Sequence, residues 1–164
     1  MANAVQPMLR LKKGWEEEKN DSLIQVIQTI PIRECSNGVY VDFIERPEPF
    51  FSDKLKRIIE LYQQDLAYRP VVFVDQKRSK QELYWRVTLP RLAALSTKSE
   101  FHKVGTVKRF VIDDKKAGRA PIFQLEGMDE TDIFVHLGLA ESILRREVVG
   151  IEFEEVELDC GEVK

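Results

Sequence analysis

This 164-residue chain lacks the patterns that mark several large classes of function. No apolar run approaches the ~18–20 residues that cross a bilayer. The N-terminal stretch "MANAVQPMLRLKKGWEEEKN" has no apolar segment between a basic start and a small-residue cleavage site, so neither anchor nor signal peptide is expected. The expected compartment is the cytoplasm. Only two cysteines occur, Cys35 and Cys160, with no Cys-x-x-Cys pair, and free thiols are expected rather than a bridge. Only two histidines occur, His102 and His136, and no zinc-ligand spacing surrounds either. There is no G-x-x-x-x-G-K phosphate loop and no G-x-S-x-G nucleophile elbow. No metal and no cofactor are therefore expected.

What the chain does have is segregated charge. The net charge is −3, yet residues 77–119 carry 12 Lys and Arg against 4 Asp and Glu, and residues 120–164 carry 3 against 12. Two readings follow. The basic middle and the acidic last third lie together and neutralise each other, or the acidic third steers a basic partner. Nucleic acid is not expected as a partner. The chain is acidic as a whole and its basic residues are spread over several elements, whereas phosphate binding needs a net basic footprint.

Periodicity outlines one α+β domain. It is a mostly antiparallel sheet with two helices packed on it, over residues 21–158, after an N-terminal arm (1–20) and before a short tail (159–164). Asn37-Gly38 signals a tight turn ahead of Val39, Val41 and Phe43. "SDKLKRIIELYQQ" predicts the first helix. Ser52 is the N-cap, and Leu55, Ile58, Ile59 and Tyr62 form one apolar stripe. The second helix lies in "LGLAESILRRE". Strands are predicted at 22–32, 68–75, 82–89, 106–114, 121–127, 133–136 and 148–158. Leu83, Trp85, Val87 and Leu89 are expected on one face of the 82–89 strand. In the last strand the apolar phase slips between Phe153 and Val156, which predicts a β-bulge.

The densest polar cluster is "STKSEFH", residues 96–102. Lys98 stands two residues after Ser96 and one before Ser99, whereas a Ser–Lys pair on a helix needs a full turn between them. The segment reads as a turn whose hydroxyls satisfy the backbone locally, anchored by a buried Phe101 ring. An enzymatic alternative would assemble its site from the scattered residues His102, His136, Glu100 and Ser99. A third reading is self-association through exposed sheet edges.

From residue 69 onward the order of segments resembles a family of bacterial immunity proteins of polymorphic toxin systems, the one numbered eleven among immunity families. The resemblance spans residues 50–158. It is carried by Tyr84, the Lys98-Ser99-Glu100-Phe101 turn, Phe110, Ile122-Phe123, the helix at 137–146, and Gly150-Ile151-Glu152-Phe153-Glu154-Glu155. It implies a non-catalytic protein that binds and neutralises a cognate toxin, with the Ser-x-Phe turn as a fold-defining corner. Partner-binding candidates are Glu152, Glu154, Glu155 and Glu157, which suit a basic toxin. Glu152 and Glu154 share one face of their strand, and Glu155 and Glu157 the other. The plainer role for such residues is to keep an exposed edge from pairing with other strands.

Overall fold

The helix with the strongest local signal is capped as its sequence predicts. Ser52 Oγ accepts the Leu55 N–H at 3.1 Å, and Leu55, Ile58 and Ile59 are buried. The structure, a computed structural model, describes residues 2–6, 27–32, 39–128 and 132–161. In chain order its elements are β1 (Ala2–Gln6), β2 (Gln28–Pro31), β3 (Phe43–Ile44), β4 (Phe50–Ser52), α1 (Asp53–Glu60), β5 (Ala67–Asp75) and β6 (Lys80–Thr88). There follow β7 (Arg91–Leu92), β8 (Glu100–Phe101), β9 (Val107–Arg109), β10 (Val111–Asp113), α2 (Asp114–Ala117), β11 (Ile122–Leu125), β12 (Ile133–His136), α3 (Leu137–Leu144) and β13 (Glu152–Asp159). The fold is α+β. Among the described residues its helices are α1, α3 and the single turn α2.

The strands form two larger sheets, ordered β10-β13-β1-β12-β11-β7 and β2-β5-β6-β4-β3, and a small β8-β9 hairpin. Most pairings are antiparallel. β10 with β13, β11 with β7, and β2 with β5 are parallel. Residues 2–6, expected in a detached arm, instead form β1 in the middle of the six-stranded sheet, between β12 and β13. The rest of that arm, residues 22–26 of the predicted 22–32 strand, and Asn37-Gly38 lie outside the described residues, while the described end of that strand forms β2.

The central core lies between the two larger sheets. Leu55, Ile58 and Ile59 of α1 meet Leu139, Ala140 and Ile143 of α3. Phe43, Phe51 and Val87 join from the five-stranded sheet, and Ile122, Ile133 and Val135 from the six-stranded one. Each sheet also buries its other face. Phe50, Val71, Phe73 and Tyr84 form a second cluster, and Ala94, Ile112, Phe123, Phe134 and Val156 a third. A sheet covered on both faces needs apolar residues at every position, not at alternate ones. That is why β12 reads Ile-Phe-Val without a polar break, with all three residues buried.

The same two-sidedness corrects two expectations. Leu83 lies on the same face as buried Val87, as expected, yet is itself 42% exposed. Its neighbour Tyr84 is buried on the opposite face, and its hydroxyl donates to the Val41 carbonyl at 2.6 Å. β13 has no bulge: its register with β1 runs unbroken from Gln6↔Glu152 to Ala2↔Val156. The apolar phase slips because Phe153 packs on the central core while Val156 and Leu158, on the other face, pack into the third cluster. The strand changes which face it buries without changing register.

The predicted 106–114 strand is also two elements. β9 pairs with β8, β10 pairs with β13, and between them Phe110 sets its ring edge-on against Phe134 with centroids 5.3 Å apart.

Candidate binding surface

β13 carries all four candidate glutamates. Glu152, Glu154, Glu155 and Glu157 are exposed, while Val156 between them is buried. The strand is not a simple sheet edge. β1 runs along one side of Glu152–Val156, and β10 covers the other side only from Glu157 to Asp159. The four carboxylates do not form one patch. Glu152 and Glu154 point to the Val156 face, Glu155 and Glu157 to the Phe153 face.

Ion pairing divides them further. Arg109 of β9 donates through Nη1 to both Glu157 oxygens, at 2.9 and 3.2 Å, across 48 residues of sequence. Arg109 also pairs with Glu100 at 3.3 Å, which Lys108 reaches at 3.2 Å. The Lys108 hydrogen bond and the two cations hold the Glu100 carboxyl below its ordinary range. Basic middle and acidic third therefore do meet, and Glu157 is neutralised there. Among the described residues no ion pair ties Glu152, Glu154 or Glu155 to a cation, so these three carry the free charge.

The 96–102 segment is a turn, held otherwise than expected. Ser99 Oγ donates to the Val111 carbonyl at 3.1 Å and accepts the Val111 N–H at 3.0 Å. Ser96 is buried and its Oγ donates to Asp159 Oδ2 at 2.7 Å, while Lys98 Nζ reaches Asp159 Oδ1 at 2.7 Å. Asp159 also accepts the Gly161 N–H at 3.1 Å. The Lys98 and Ser96 hydrogen bonds, then that backbone bond, hold its carboxyl down to about 2. Phe101 does not anchor the turn, since it is 53% exposed. The anchors are the two serines and the end of β13.

The scattered residues of the enzymatic alternative have separate local duties. His102 is exposed, and its backbone N–H bonds the Thr106 carbonyl at 2.8 Å in the β8–β9 turn. His136 is the N-cap of α3, with Nδ1 accepting the Gly138 N–H at 3.2 Å. Ser99 is committed to Val111 and Glu100 to Lys108 and Arg109. A shallow depression of about 460 Å³ between α1 and the end of α3 is lined by Asp53, Lys54, Arg57, Ile58, Leu61 and Arg146. Its charged groups are paired locally: Arg57 with Asp53 at 2.8 Å, and Lys54 with the Glu147 carbonyl at 2.7 Å. Among the described residues no group of three or more His, Cys, Asp and Glu is placed to hold a metal ion. Nor is any described helix long and apolar enough to cross a membrane.

Sequence reasoning missed Arg109 and Asp159. Their partners lie 48 and 63 residues away, and the segregation of charge was the only signal of those contacts. No protein-family model matches the chain, and no curated protein matches it.

Proposed function

We propose that the chain is a non-catalytic immunity protein, a cytoplasmic scaffold that binds a basic toxin domain and neutralises it. The resemblance over residues 50–158 supports this reading. The observation that carries it is the placement of Glu152, Glu154 and Glu155. All three are exposed on a strand whose start is zipped to β1 and whose end is pinned by β10 and the Ser96–Asp159 bond. Charge held on a fixed strand is pre-organised for a partner and costs little ordering entropy on binding. Uncompensated like charge also speeds encounter with a partner of opposite sign.

The test is growth rescue. Any toxin-like gene product encoded beside this protein's gene is expressed in a susceptible cell with this chain, or with its Glu152→Lys/Glu154→Lys/Glu155→Lys variant. The wild type is expected to restore growth and to co-purify with the toxin, more firmly at low salt than at high. The folded variant is expected to do neither. No rescue and no complex with the wild type would sink the reading. Equal rescue by the variant would move the interface away from β13.

A further inference from the structure

The open half of β13 has a backbone geometry as well as a charge. In a strand, the N–H and C=O of one residue point to the same side, and the next residue's point to the other. Two ends of the sheet fix which residues point where. At one end, the His136 N–H bonds the Pro121 carbonyl, so His136 and Phe134 face β11, and Ile133 and Val135 face β1. Through the β1 register, Ala2, Ala4 and Gln6 then face β13, opposite Val156, Glu154 and Glu152.

At the other end, the Val111 carbonyl accepts the Ser96 N–H and the Asp113 N–H bonds the Ala94 carbonyl, so Ile112 faces β13. Its parallel pairing with Leu158 uses the main chain of Glu157 and Asp159. Both routes agree. Even-numbered residues of β13 bond β1, and odd-numbered ones point away from it. Beyond the reach of β10, the peptide groups of Phe153 and Glu155 therefore face outward with no described strand beside them.

We infer that this open edge takes an extended, basic segment of the partner as an added strand, a mode that rests on the binding role proposed above. The side chains define the occupant. On one face Glu152 and Glu154 call for Lys or Arg. On the other, half-buried Phe153 at the rim of the central core calls for an apolar residue. An alternating basic–apolar strand meets both demands, with main-chain hydrogen bonds giving affinity and alternate side chains giving specificity. A second copy of this chain does not fit. Self-pairing through this edge sets glutamates against glutamates, and like charges across a strand pair repel.

The test uses the full chain, isotope-labelled, and a capped synthetic peptide of alternating lysine and valine. A peptide of the same composition with its lysines and valines in separate blocks is the control. The alternating peptide is expected to slow amide exchange at Phe153 and Glu155 by about tenfold or more. The blocked peptide is expected to leave both unchanged. Glu155→Pro removes an outward N–H without touching the β1 ladder. It is expected to bind the peptide about tenfold more weakly than Glu155→Gln, which removes the charge alone.

Unchanged exchange at both amides, equal protection by the blocked peptide, or equal affinity of the two variants would each overturn strand addition. The growth-rescue test separates the two proposals. Protection by the peptide without rescue keeps strand addition and drops the immunity role. Rescue undiminished in Glu155→Pro keeps the immunity role and drops strand addition.

Discussion

Ser96 and Asp159, 63 residues apart in sequence, are joined by a 2.7 Å hydrogen bond from the buried hydroxyl to the carboxylate that ends β13. Ser96 also accepts the Lys98 N–H at 3.2 Å and donates its own N–H to the Val111 carbonyl at 2.8 Å. One residue thus ties the 96–102 turn, β10 and β13 together. Replacing it by alanine leaves the backbone bond but removes the hydroxyl from both others. We expect Ser96→Ala to lower unfolding stability by about 1–2 kcal/mol, the usual cost of losing a hydrogen bond at a buried site. Urea unfolding should show a lower midpoint with an unchanged slope. An unchanged midpoint would mean that the turn holds without the hydroxyl.

Acid should loosen the same clasp. The Asp159 carboxyl is held at about 2 against an ordinary 3.8. A lowered folded-state value means that its stabilisation is complete above the ordinary value and is lost as pH falls through the folded one. The window therefore runs from about pH 4 down to about pH 2. In Asp159→Asn the denaturation midpoint should be lower at neutral pH and should change less across that window. Because the Lys98 hydrogen bond is the largest cause of the shift, Lys98→Met should move the acid limb to higher pH. Parallel acid profiles for all three proteins would refute the assignment.

The first helix and the α+β class were legible because both rest on local signals. Ser52, Asp53 and the Leu55/Ile58/Ile59 stripe declare a capped amphipathic helix whatever surrounds it. The faces of the strands were less legible. Tyr84 is buried and Leu83 exposed although Leu83 shares the face of buried Val87, because the sheet has two buried sides and neither is covered along the whole strand. Phe153 and Val156 look like a bulge for the same reason. Nor could β1 be read. "ANAVQ" is short and weakly apolar, and its place between β12 and β13 comes from partners more than a hundred residues away. The four candidate glutamates were visible as a group, but the arginine that removes Glu157 from that group was not.

Gly150 should be the least replaceable of the described glycines. Its φ is +84°, and a Cβ there would stand 2.7 Å from Val41 Cβ and 2.8 Å from Val41 Cγ1. Val41 cannot rotate its Cβ away, and the strap it belongs to is bound at the next residue. Asp42 N–H donates to the Val149 carbonyl at 2.8 Å, and Val149 N–H to Asp42 Oδ2 at 2.7 Å. Gly150→Ala should cost roughly 2–4 kcal/mol from the clash and the left-handed backbone together. Adding Val41→Ala should recover little, since the Cβ remains. Adding Val41→Gly should recover more, leaving the backbone term. Equal recovery by both second substitutions would place the strain elsewhere.

A pair of prolines tests the strand geometry itself. Glu154 and Glu155 are adjacent, both exposed and both on β13, so composition and burial do not tell them apart. The alternation fixed by His136 at one end of the sheet and Ile112 at the other does. It turns the Glu154 N–H toward β1 and the Glu155 N–H toward the open edge. Proline lacks the N–H and is tolerated in strands where that group faces outward. Glu154→Pro should therefore lose about 2–3 kcal/mol through a broken ladder bond and displaced strand. Glu155→Pro should stay within about 1 kcal/mol of Glu155→Gln. Chemical denaturation of the four proteins, with Glu154→Gln as the second charge control, measures both differences. The reverse order would mean that β13 turns the opposite residues outward, and the open edge would then present Glu152 and Glu154 in place of Phe153 and Glu155.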